Sequence, residues 1–160
     1  MNISFSFLGL EKDSYISKIK KLEEIAPSSF IHFDVMDGKF VENKTYDHNK
    51  VDEIKEVTNL FLDVHLMIEN PFEYIDDYVC LGVNQLVVHY EAINQRDLFL
   101  FLNNMRAKRI KAGISFNPNT KVEEVKDILP FLDVVLVMSV EPGRGGQKFI
   151  TSTYKKIEEL

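Results

Sequence analysis

One cysteine in 160 residues, Cys80, rules out an internal disulfide. A reducing cytoplasm is the simplest compartment for such a chain. No apolar run approaches the roughly 18 residues that a membrane-spanning helix needs. The opening stretch from Met1 to Leu8 has no basic region before its apolar residues and no small-residue cleavage site, so it does not read as a signal peptide. Positive charge is in deficit, with 19 Lys+Arg against 25 Asp+Glu and a net charge of −6. That balance argues against a nucleic-acid partner. Neither a Walker loop nor a Gly-x-Gly-x-x-Gly fingerprint occurs. No linker or low-complexity tract divides the chain. With 45% apolar and 28% charged residues, the composition is that of one globular domain over residues 1–160.

What is present is a repeated unit. Short β-rich apolar runs recur at Ile3–Leu8, Ser29–Val35, Leu60–Met67, Asn84–Tyr90, Ile110–Phe116 and Leu132–Val140. Helical spacing fills several of the intervals: Tyr15, Ile16, Ile19, Leu22 and Ile25; Phe72, Ile75 and Val79; Leu98, Phe101, Leu102 and Met105; Val122, Val125 and Leu129. Asp13 or Ser14 is placed to cap the first helix. Pro71 suits an early helical position, and Thr120 stands three residues before Glu123 as in a capping box. Gly82 and Gly113 punctuate the returns toward strands. The chain ends in Thr153–Leu160, which reads as the first turns of a sixth helix, so the last unit looks unfinished. Leu86-Val87-Val88 and Val134–Val137 are apolar on both faces, as parallel strands covered by helices are. Six strand–helix units predict an α/β fold, either an open doubly wound sheet or a barrel. Both architectures put ligand sites at the carboxyl ends of strands.

The chemistry-bearing residues gather at those ends. His32 and Asp34 lie two apart, on one face of the second strand. Asp63 and His65 repeat the pattern on the third, and His89 and Glu91 on the fourth. Imidazoles and carboxylates at three neighbouring strand ends form a donor set for a divalent metal. Asp63 sits deeper than His65 and reads as a group that orients a neighbour. Met36, Met67 and Met138 read singly as core fillers and together as an apolar lid. Three glycines, Gly143, Gly145 and Gly146, open the backbone after the sixth strand to an anion such as phosphate, or form a surface loop. Cys80 reads as an inert helical thiol and His48 as part of an exposed loop.

Together these segments resemble the ribulose-phosphate 3-epimerase family. The resemblance is carried by the runs His32–Asn43, Asp63–Pro71, His89–Glu91, Gly113–Thr120 and Val137–Phe149, in family order. It implies a (β/α)8 TIM barrel of the ribulose-phosphate-binding type, of which about six βα units are present. It implies interconversion of D-ribulose 5-phosphate and D-xylulose 5-phosphate in the pentose phosphate pathway, through an enediolate. The cofactor would be one divalent metal ion, Zn²⁺, Fe²⁺, Mn²⁺ or Co²⁺. By motif position His32, Asp34 and His65 would be its ligands, and Asp34 would also be one of two catalytic acid/base carboxylates. Ser6, Met36, His65, Met67, Met138, Gly143, Gly145 and Gly146 would contact the sugar phosphate. Removing the C3 proton next to the ketone and returning it to the opposite face calls for two carboxylates across the sugar plane.

Departures from the family pattern are Phe5 and Glu42, where proline is usual, and Arg144, where an aromatic is usual. The family glycine after the Phe40 loop is missing from Tyr46–Asn49. Family members continue through a seventh strand bearing the second aspartate, which is also a fourth metal ligand, and an eighth unit with further phosphate contacts. No counterpart precedes Leu160. Two alternatives therefore stand beside the epimerase reading: a D-allulose 6-phosphate 3-epimerase, and a non-catalytic relative that binds metal or sugar phosphate. Exposed sheet edges would also favour a homo-oligomer.

Overall fold

The computed structural model describes residues 3–8, 15–45 and 48–160. The expected cap at Asp13 or Ser14, and Tyr46-Asp47, lie outside the described residues. Six strands follow one another in space in chain order: β1 (Ser4–Ser6), β2 (Phe30–Met36), β3 (Phe61–Met67), β4 (Gln85–His89), β5 (Lys111–Phe116) and β6 (Val134–Val137). All are parallel. A doubly wound sheet reverses its strand order at a switch point, and this one does not. The architecture is thus six βα units of a TIM-type barrel.

The helices are α1 (Tyr15–Ile25), α2 (His48–Lys55), α3 (Ile75–Cys80), α4 (Gln95–Lys108), α5 (Val122–Val125) and α6 (Thr153–Glu159). Tyr15, Ile19 and Leu22 of α1 are buried, whereas Ile16 and Ile25 face solvent. Burial on both faces makes β3 and β4 the centre of the core. β6 is only half-buried along its length because, among the described residues, it pairs with β5 alone. No described helix is long and apolar enough to cross a membrane.

Three local expectations need correction. His48 is exposed but opens α2 rather than lying in a loop. That helix escaped the periodicity because it buries only Val51 and Ile54. The capping box of α5 is built on Lys121 and Glu124, with Lys121 N donating to Glu124 Oε1 at 2.8 Å. Thr120 instead donates its hydroxyl to Glu91 Oε1. Gly113 does not end a helix; Arg109 closes α4 in the left-handed conformation, with φ 60°. Gly113 lies inside β5, where a Cβ would collide with both Cγ1 and the carbonyl oxygen of Val134. Gly82 (φ 68°) follows α3, and Pro71 opens a short 3-10 turn, both as expected.

The close approach at Gly113 seats β6 against β5. Gly113→Ala should destabilise the chain by about 1–3 kcal/mol, since backbone as well as side chain must give way. A urea midpoint equal to that of the wild type would show that β5 and β6 are not packed this way.

Candidate metal centre

Parallel pairing without slippage puts the polar positions of β2 and β3 side by side. His32 is level with Asp63, Asp34 with His65, and Met36 with Met67. Side chains two apart share a face, so two rows of donors project from one surface near the carboxyl ends of these strands. In the upper row, Asp34 Oδ1 lies 3.2 Å from His32 Nε2 and 3.1 Å from His65 Nδ1. One atom from each of His32, Asp34 and His65 falls within 4.8 Å of the others. The remaining ring nitrogens are committed. His32 Nδ1 donates to Asp63 Oδ2 at 2.7 Å, and His65 Nε2 lies 2.9 Å from Ser115 Oγ.

Electrostatics divides the two imidazoles. Burial works to lower the His32 pKa, but hydrogen bonds and charge from Asp34 and Asp63 outweigh it and raise it to about 10. His65 is fully buried, and that burial holds it down at about 4 despite the Asp34 contact; the charges of His89 and His32 add to the depression. Burial works to raise the Asp34 carboxyl, yet the hydrogen bonds and charges of both imidazoles pull it well below the usual carboxylate range. An anion, a neutral imidazole and a second imidazole with its far nitrogen anchored fit a borderline divalent cation. His32 would exchange its Nε2 proton for the ion.

The surroundings shape access. Met36 and Met67 pack with Val41, against Leu8 and Phe40, in an apolar cluster beside the donors. Met138 is partly exposed and outside that cluster. Ser6 Oγ donates to Asp34 Oδ2 at 3.4 Å, and it accepts Leu8 N at 3.2 Å. Thr45 fixes the end of β2: its hydroxyl donates to the Asp34 carbonyl and accepts Met36 N. His89, fully buried, stacks on His65 and packs tilted against Phe40, with ring centroids at 4.9 and 4.7 Å. Its Nδ1 meets Glu91 Oε2 at 3.3 Å.

The glycine loop lies across from the β2 loop. Asn43 Nδ2 donates to the Gly143 carbonyl at 2.6 Å, and a Cβ on Gly143 (φ 105°) would stand 2.8 Å from Val41 Cβ. Gln147 Nε2 gathers the carbonyls of Glu141 and Arg144 at 2.6 and 2.8 Å. Gly145 and Gly146 are exposed. A cleft of about 460 Å³ runs between the two loops, lined by Phe40, Asn43, Gly143 and Arg144 among others. The sixth helix begins at Thr153, where the sequence places it, well past the glycines.

Two further carboxylates, Asp37 and Glu91, are engaged in loop hydrogen bonds. Asp37 accepts the backbone N–H groups of Lys39, Phe40 and Glu69. Glu91 Oε1 accepts Asn117 N and the Thr120 hydroxyl, while Oε2 faces His89. Burial works to raise the Glu91 pKa, but these bonds outweigh it and hold the group at about 2. Sequence reading missed Ser115, Gln85 and Thr45. The available signal was a polar residue interrupting a buried strand, as Ser115 and Gln85 do.

The model of the ribulose-phosphate 3 epimerase family matches residues 2–160. The chain belongs to that family. Among curated relatives, the ribulose-phosphate 3-epimerase of Chlamydia pneumoniae is 42% identical over 152 residues, covering 95% of this chain and 65% of that protein. That of Bacillus subtilis is 39% identical, covering 100% and 72%. The chloroplastic ribulose-5-phosphate-3-epimerase of Arabidopsis thaliana is 42% identical, covering 88% and 50%. The chain thus spans between half and about three quarters of the length of these relatives. Among solved structures, the TTHB071 protein from Thermus thermophilus, soaked with ZnCl2, superposes with a TM-score of 0.51 at 12% identity. The match covers 85% of this chain and 65% of that one, a likeness of fold.

The opposed imidazole shifts set the pH dependence of the metal-free family member. Between pH 6.5 and about 4 the unfolded chain binds the His65 proton more readily, so stability falls with falling pH. Between 6.5 and about 10 the folded chain keeps a His32 proton that the unfolded chain has lost, so stability falls with rising pH. Urea unfolding of metal-free protein across this range should therefore peak near neutrality, and His65→Asn should flatten the acid limb. A profile flat from pH 4 to 10 would contradict the charge assignment.

Proposed function

We propose that the protein acts as a metal-dependent epimerase at C3 of D-ribulose 5-phosphate, giving D-xylulose 5-phosphate. The observation that carries this reading is the convergence of His32, Asp34 and His65 within 4.8 Å in a chain of this family. Family membership supports the substrate class; the donor set supports the metal. His32, Asp34 and His65 would hold the ion. When bound, a divalent cation supplies Lewis acidity that stabilises the negative charge developing on the substrate oxygens as the C3 proton leaves.

The chain's own groups do the rest. Asp34, held ionised at neutral pH, is the base for one face of the sugar. It takes the C3 proton from one epimer and, in the reverse direction, delivers a proton to that same face of the enediolate, the opposite face being served by a second acid. Ser6, in contact with Asp34 Oδ2, orients that carboxylate and a substrate hydroxyl. Met36, Met67, Val41 and Phe40 exclude water, which strengthens every charge interaction inside. The backbone at Gly143, Gly145 and Gly146 faces the phosphate. Neither Glu91 nor Asp37 is free to serve the opposite face, because each is consumed by loop hydrogen bonds. A single base returns the proton to the side it came from, so inversion needs a second acid.

The test is C3 proton exchange of D-ribulose 5-phosphate in D2O with metal-loaded protein, followed by NMR, alongside formation of D-xylulose 5-phosphate. Exchange at C3, lost on chelation and reduced about 10²–10⁴-fold by Asp34→Asn, supports the reading. Exchange without inversion marks Asp34 as a lone base. Faster exchange of D-allulose 6-phosphate would reassign the substrate. Stoichiometric metal binding with no exchange on either sugar would leave a non-catalytic binding protein and overturn the proposal.

A further inference from the structure

A hydrogen-bonded row crosses the sheet beneath the donor cluster, at right angles to the chain. His32, Asp63 and Gln85 are lateral partners on β2, β3 and β4. His32 Nδ1 donates to Asp63 Oδ2 at 2.7 Å, and Gln85 Nε2 donates to Asp63 Oδ1 at 2.7 Å. Both bonds are at the short end of the N–H···O range, as bonds to a carboxylate are. Asp63 and Gln85 are each less than one tenth exposed. The amide orientation follows from chemistry: only the NH2 group can face a carboxylate oxygen, since the amide oxygen would repel it.

We propose that Gln85 is a positioning residue for the metal ligand His32, acting through Asp63. The inference rests on the metal-centre reading above and extends it one residue outward. A carboxylate bound by one oxygen swings about its Cβ–Cγ bond. Asp63, held by both oxygens between two strands, does not. Its fixed plane fixes the His32 ring, keeps Nδ1 as the donor, and leaves Nε2 directed at Asp34 Oδ1, 3.2 Å away. The glutamine is otherwise out of place. It heads Leu86-Val87-Val88, a run buried on both faces, where an unpaired amide is costly. Its second effect is to occupy the free oxygen of Asp63, which would otherwise be an unpartnered acceptor in the buried row and a competing ligand for an ion.

Partners that orient a ligating imidazole are worth about 10–100-fold in metal affinity. Gln85 lies one bond further out, so Gln85→Met should weaken Co²⁺ binding by about 10-fold. Methionine keeps the length of glutamine and removes its donors. Gln85→Asn, too short to reach, should do the same if Met packs poorly. The experiment is titration of the full chain with CoCl2, read by equilibrium affinity and by the visible ligand-field bands. Gln85→Met is measured alone, and again in an Asp63→Asn background. Weaker binding with altered bands in the single variant, and no further loss in the double, supports action through Asp63. Wild-type affinity and bands in both Gln85 variants overturn the inference. So does an equal loss in the Asp63→Asn background, because a merely structural glutamine adds its effect independently. Wild-type protein that takes up no Co²⁺ at all overturns the metal reading itself, a result separate from either outcome with the variants.

Discussion

One carboxylate oxygen, Oδ1 of Asp34, organises this molecule's chemistry. It sits between His32 Nε2 and His65 Nδ1 at 3.2 and 3.1 Å. The contact exists because β2 and β3 run parallel in a register that sets Asp34 level with His65 and His32 level with Asp63. A slip of one residue in either strand would send that strand's two donors to the helix-facing side. The barrel curvature then turns a flat row into a converging one. Sheet geometry alone therefore assembles a cluster whose members come from separate βα units of the chain.

Such a cluster is expensive to bury. Taking an anion and imidazoles out of water costs several kcal/mol per charge unless each finds partners. The structure supplies them in layers. Asp63 and Ser115 hold the far nitrogens of the imidazoles, Gln85 holds Asp63, and Thr45 ties down the strand end carrying Asp34. Above, Met36 and Met67 with Val41 and Phe40 give a face without competing polar groups. The same arrangement keeps His65 neutral and Asp34 ionised, the states in which each offers a lone pair. Two loop carboxylates are tied down in a similar way. Asp37 and Glu91 look chemically available in sequence, and the fold uses both to tie backbone at strand ends.

The fold was legible because each unit repeats one pattern. A short β-branched run is followed by residues at helical spacing, and parallel strands such as Leu86–Val88 are apolar on both faces. The donor cluster was legible because a period of two on a strand is local information. Boundaries blurred where apolar content was thin, as in α2, which buries only Val51 and Ile54. Gly113 misled for a different reason: its need for glycine comes from Val134, a neighbour across the sheet. Gln85 and Ser115 escaped because lateral pairing between strands is set by long-range register, which a single sequence does not spell out. Met138, grouped with the other two methionines by motif position, lies after the half-exposed β6 and outside their cluster.

Should one ion unite these strands, its coordination shell must contain both imidazoles. X-ray absorption spectroscopy of the zinc-loaded chain reads that shell directly. The account predicts two imidazole nitrogens and carboxylate oxygen around a stoichiometric ion, with one imidazole lost in His32→Ala and in His65→Ala. A shell of oxygen donors alone, or imidazole scattering unchanged in both variants, would contradict it.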